Sequence, residues 1–238
     1  CETYDDWIKV NRTSLLDKNI SAAIDKGVAG LRGVAWAYSS TNPVGVTGLA
    51  VYALLKCDVS INDPAVARGL DLLLDKDPEG TYSAGLVAMA LSVAVQKSAS
   101  KDRLKKRLQR IADMLAGSQG LQGGWHYAIR RSTGTTEIHW GGASFDFSNT
   151  QFAILGLRAA ANVGANVSSK VWERALLLYE KTPTGCGWGY TAGAAATKSM
   201  TAAGAYSWII CRISLDARLK PEKAAEDKRI TQAMGYLA

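Results

Sequence analysis

A short aromatic element returns along this chain: Trp36-Ala37-Tyr38, Trp125-His126-Tyr127 and Trp188-Gly189-Tyr190, with Gly80-Thr81-Tyr82 as a degenerate copy. Successive copies stand about 45 residues apart up to Trp125 and about 63 apart beyond it, and such a period marks stacked supersecondary units, none of which buries its apolar face alone. That constraint narrows the possible folds more than any other feature of the sequence.

Each element is followed by an Ala- and Leu-rich helical stretch, at 46–57, 83–96, 148–162 and 199–214. Each is preceded by a second kind of helix, at 19–31, 64–75, 101–116 and 169–179, and a further helix over 221–237 has no partner after it. The first kind is apolar nearly all round, as in Thr47-Gly48-Leu49-Ala50-Val51-Tyr52, which predicts burial on every side; the second keeps a charged face. Asp63-Pro64 reads as an N-cap followed by proline at the first helical position, and Ser148-Asn149-Thr150-Gln151 as a capping box; Pro43 and Pro221 fall at or just before helix starts. No segment alternates apolar and polar residues as a strand does, so the class is all-α. Alternating buried and half-exposed helices stack into an open solenoid or close into a ring of inner and outer helices. Gly48, Gly85, Gly156 and Gly204 on the buried set favour close backbone approach and a tightly curved inner ring.

Of 238 residues, 47% are hydrophobic and 21% charged, which excludes a disordered chain, and no run of 18 apolar residues predicts a membrane-spanning helix. Cys57 and Cys211 lie in apolar runs and read as buried small hydrophobes, while Cys1 and Cys186 lie in irregular segments; no CxxC spacing suggests a zinc ribbon. The net charge is +7, and basic density peaks over Lys101-Asp102-Arg103-Leu104-Lys105-Lys106-Arg107. That stretch is an amphipathic helix whose charges form either a solvated face or an anion-binding patch; lacking interleaved aromatics, it predicts no nucleic-acid partner. The opening Cys1-Glu2-Thr3 fits a lipidated cysteine left by a cleaved export signal, which would place the protein at the cell envelope; a shortened chain, otherwise cytoplasmic, is the plainer reading.

The pattern resembles the prenyltransferase and squalene-cyclase repeat superfamily, the α/α-toroid. Gln119-Gly120-Leu121-Gln122-Gly123-Gly124-Trp125 matches the Gln-xxx-Gly-x-Trp form of the cyclase repeat, and Gly185-Cys186-Gly187-Trp188-Gly189-Tyr190 is a weaker copy. Phe147-Ser148-Asn149-Thr150-Gln151-Phe152 and Ser199-Met200-Thr201-Ala202-Ala203-Gly204 look like a bacterial, planctomycete-type branch of repeat proteins of unassigned function. The resemblance implies an N-terminal extension over 1–18 and a toroid domain over 19–238, holding about four and a half repeats in an incomplete ring. The lone last helix resembles the first, Ile230-Thr231-Gln232-Ala233 beside Ala23-Ile24-Asp25-Lys26, so the polypeptide is expected to continue past Ala238 or to be completed by another chain. Fold does not carry function with it.

The chemical motifs of that superfamily are not matched. The nearest string to the cyclase Asp-x-Asp-Asp is Asp146-Phe147-Ser148-Asn149, whose last two residues cannot serve as acids, and Asp5-Asp6 is too short for a magnesium-binding acidic box. The Asp-x-Cys of zinc prenyltransferases meets Asp146-Phe147-Ser148, with serine in the thiolate position, and the later inner helix offers no histidine. Cys186-Gly187-Trp188-Gly189 is no thioester motif. The two histidines, His126 and His139, lack further ligands at helical spacing, so neither a metal nor another cofactor is expected.

Two stretches carry the functional candidates. The Trp-x-Tyr elements read as structural aromatics between helix pairs, or as a platform for sugars or isoprenoids; Trp125 and Tyr127 are therefore ligand-binding candidates. The segment 128–146 inserts about 18 residues into one repeat, a length typical of functional loops, though a solvated surface flap is the plainer reading. It offers Asp146, His139 and Glu137 as candidate catalytic groups, and Arg130, Arg131 and Trp140, with Asn149 beyond it, as candidate ligand contacts. The expected function is a module binding an apolar ligand, a sugar or a protein partner. An enzyme of cyclase or prenyl-transfer type using Asp146 as a non-standard acid is an alternative, as is a carbohydrate-active toroid.

Overall fold

The computed structural model describes residues 15–33, 42–129 and 145–238. Cys1, Asp5, Asp6, the Trp36-Ala37-Tyr38 element, Arg130, Arg131, Glu137, His139 and Trp140 lie outside the described residues.

The described residues are helical, with no strand among them; two isolated bridges, Trp125 with Asp146 and Thr184 with Gly187, pin turns. In chain order the helices are α1 (Leu15–Gly33), α2 (Pro43–Lys56), α3 (Pro64–Asp75), α4 (Thr81–Lys97), α5 (Asp102–Gly117), α6 (Phe147–Asn162), α7 (Ser169–Lys181), α8 (Lys198–Leu215), α9 (Pro221–Ala225) and α10 (Lys228–Leu237). The expected last helix is broken in two: Asp227 leaves helical geometry and its carboxylate accepts from the Arg229 amide, capping α10.

Helices α2, α4, α6 and α8 form a central row, each packed on the next, and the more amphipathic helices flank it. Glycines set the spacing. A Cβ on Gly48 would stand 3.1 Å from the Val87 amide nitrogen, and one on Gly156 only 2.7 Å from the Gly85 Cα. Positions rise together in neighbouring helices (Gly45 by Ser83, Gly48 by Val87), so the row is parallel, as expected when a flanking helix returns the chain between each pair. Gly204 departs from expectation: its missing side chain makes room for the Trp188 indole, not for a neighbouring backbone. Arg107, expected in a solvated face, is buried; it donates to the carbonyls of Leu73 and Lys76 at the end of α3 and pairs with Asp77 at 2.9 Å. Cys211 is buried as expected, whereas Cys57 stands exposed at the C-cap of α2.

The turn elements are braces. Trp125 and Trp188 are almost fully buried. Each indole donates back to the preceding flanking helix, Trp125 Nε1 to the Leu115 carbonyl (2.7 Å) and Trp188 Nε1 to that of Tyr179 (3.1 Å). Each backbone amide donates forward to a threonine of the next central helix, Thr150 at 3.0 Å and Thr201 at 3.2 Å. One residue thus ties the end of a flanking helix to the start of a central one in both repeats. Gln119 completes the first brace, its amide donating to the Gly123 carbonyl and to Val171 of α7. Gly123 holds φ of +95° where a Cβ would strike the Arg174 backbone, so only glycine fits. Gly80-Thr81-Tyr82 does not share this geometry: Thr81 and Tyr82 are already the first turn of α4.

Candidate functional site

At the N-terminal end of the central row three tyrosines from different repeats come together. Tyr127 and Tyr190 hold equivalent turn positions, each two residues past a buried tryptophan. Anchored on that side, their rings project outward, 54% and 43% exposed, and their hydroxyls meet at 2.6 Å. Tyr82 arrives from α4; its hydroxyl donates to Ser148 Oγ of α6, and its ring lies 5.8 Å from that of Tyr127 and 4.7 Å from that of Phe152. The hydrogen bond with Tyr127 holds the Tyr190 hydroxyl protonated far above the ordinary tyrosine range, while Tyr82 is raised chiefly by burial. Tyr82 and Tyr190 therefore keep their hydroxyl protons in ordinary conditions.

Several amides at the helix starts beneath the rim are already satisfied. Asp146 caps α6, one carboxylate oxygen accepting from the Asn149 amide and the other from the Asn149 side chain, both at 2.7 Å. The N-cap thus falls two residues before the expected Ser148, which instead receives Tyr82. Thr81 donates its amide to the Tyr127 carbonyl and its hydroxyl to that of His126. Glu79 caps α2 from the next repeat, its carboxylate accepting from the amides of Val44 (2.7 Å) and Gly45 (3.3 Å) where Asn42 supplies no side-chain cap.

From the rim an apolar face runs down the row. On each central helix an apolar stripe at three- to four-residue spacing is half-buried or exposed among the described residues. On α2 the stripe is Val46 and Leu49, the latter 52% exposed; on α4 it is Tyr82, Leu86 and Met89. Phe152 and Leu155 continue it on α6, and Tyr206, 54% exposed, with Ile209 and Ile213 on α8. Tyr82 against Phe152 joins the stripes of α4 and α6 directly. Exposed apolar surface extending across several elements is uncommon on a monomer unless something binds there.

Of the expected site residues that are described, Asp146 and Asn149 are in contact but nearly fully buried in the cap, Trp125 is a buried brace, and Tyr127 stands on the rim. Tyr190 belongs to the Trp-x-Tyr set read as structural aromatics or a platform, whereas Tyr82 and the stripes carry no local motif of a site; the available signal is the repeat itself, which places Tyr127 and Tyr190 at equivalent positions. No group of three or more His, Cys, Asp or Glu among the described residues could hold a metal ion, and no described helix is long and apolar enough to cross a membrane. Comparison of the chain with family models, curated proteins and solved structures gives no match.

Proposed function

We propose that this chain is an α/α-toroid-type repeat module that binds a ligand on the open face of its central helices. The observation that carries the reading is the apolar stripe of Leu49, Leu86, Leu155 and Tyr206 on four consecutive, closely packed central helices, with Leu49 and Tyr206 exposed and Leu86 and Leu155 half-buried. A toroid would curve that face inward, and the repeated tryptophan braces support such regular stacking. Binding rather than catalysis is favoured by the state of Asp146: both its oxygens serve the α6 cap, so the residue acts in this reading as a structural acceptor.

The test is a methyl NMR titration with bis-ANS, a fluorescent dye that seeks apolar surface. Methyl resonances of Val46, Leu49, Leu86 and Leu155 are expected to move together, while those of Leu121 and Leu177, exposed elsewhere, stay in place. Shifts confined to the flanking helices would contradict the proposal.

A further inference from the structure

We infer that the ligand of this face is an uncharged amphiphile, an apolar chain ending in a hydroxylated head such as a sugar, with the head on Tyr82, Tyr127 and Tyr190, resting on the binding reading just given. Rim and wall form one surface: Tyr82 belongs to the stripe of α4, and its ring touches both Phe152 of the next stripe and Tyr127 of the rim. One molecule lying on the wall therefore reaches the rim.

The rim matches vicinal hydroxyls. Tyr127 and Tyr190 bond to each other at 2.6 Å and Tyr190 also bonds with Tyr82, so the cluster shares its hydrogens and keeps lone pairs to accept from a hydroxylated head. Their half-exposed rings add flat apolar faces of the kind on which the C–H side of a sugar stacks. An anionic head is disfavoured. Two of the amides that would attract it are taken: the Asn149 amide at the start of α6 by Asp146, and the Thr81 amide of α4 by the Tyr127 carbonyl. Among the described residues of the central helices, Lys56, Lys97, Arg158 and Arg212 lie in the C-terminal parts, away from the rim, and Lys198 donates to the Leu237 carbonyl. A cationic head gains little from Asp146, which is buried with both oxygens engaged by Asn149.

The full chain can be titrated, below micelle concentrations, with three probes sharing one chain: dodecyl maltoside, dodecyl sulfate and dodecyltrimethylammonium. Maltose serves as the head alone. Stripe methyls and tyrosine ring resonances report binding. The maltoside is expected to bind about tenfold tighter than either charged probe, and Tyr127→Phe/Tyr190→Phe to remove about that factor for the maltoside alone, since it deletes hydroxyls and keeps rings. Equal affinity for the three dodecyl probes, or a double variant that binds the maltoside as the native chain does, would overturn the head assignment and leave the binding reading standing. If no probe, bis-ANS included, moves the stripe methyls, the binding reading itself fails.

Discussion

The contact between α4 and α6 is set by two glycines, and adding one methyl group there should be felt by the whole fold. In Gly156→Ala the new Cβ would stand 2.7 Å from Gly85 Cα, 3.1 Å from its carbonyl oxygen and 3.3 Å from Ala88 Cβ. Carbon atoms rest about 3.5–4.0 Å apart, so the helices must separate by roughly 1 Å. The nearest obstacle is backbone, which has no rotamer to yield. Overpacking of this kind costs about 1–3 kcal/mol, and alanine recovers up to about 1 kcal/mol of helix propensity. The net expectation is a loss of about 1–2 kcal/mol, or roughly 2–8 °C in Tm for a chain of this size. Gly235→Ala in α10 is the matched control: nothing lies within 4 Å of its added Cβ, so it keeps the propensity gain without the clash. Urea unfolding followed by circular dichroism measures both. A Gly156→Ala variant as stable as the native chain would refute the close packing of the row.

Trp125→Phe and Trp188→Phe remove the same hydrogen bond in equivalent repeats and leave some unfilled volume, so each should lose about 1–3 kcal/mol in denaturant midpoint analysis. Alkaline pH should destabilise the fold. Burial raises Tyr179, and the bond with Tyr127 raises Tyr190, above the unfolded value near 10. The native state then keeps protons the unfolded state sheds, so stability is fully present below about pH 10 and falls as pH rises beyond it. Urea midpoints against pH should show that decline, weakened in Tyr179→Phe. Cys57 and Cys186 should react with a thiol reagent in the native state, and Cys211 only after unfolding.

The helices were legible because two local signals agreed: recurring Trp-x-Tyr elements and apolar helices without a polar face. The 64–75 helix and its Asp63 cap follow from the sequence directly. What was illegible depends on neighbours distant in the chain. Arg107 sits in a basic run that reads as solvated, yet the carbonyls of Leu73 and Lys76, some thirty positions earlier, draw it inward. Glu79 caps a helix one repeat away, which no local window reveals. Ser148 looks like a cap, but it already lies inside α6 and the Asp146 side chain takes that role. The site follows the same rule: Tyr127 was visible in its motif, whereas its partnership with Tyr190 and Tyr82 exists only once three repeats stack.

The most direct test of the account compares bis-ANS affinity across single charge insertions. Leu49→Asp and Tyr206→Asp put a carboxylate on the open face of α2 and α8, while Leu177→Asp puts one at an equally exposed site on α7. If the open face is the binding surface, the first two variants lose about tenfold or more in affinity, each with a native circular dichroism spectrum, and the third binds as the native chain does. Equal losses in all three, or a loss in Leu177→Asp alone, would contradict the proposed binding face.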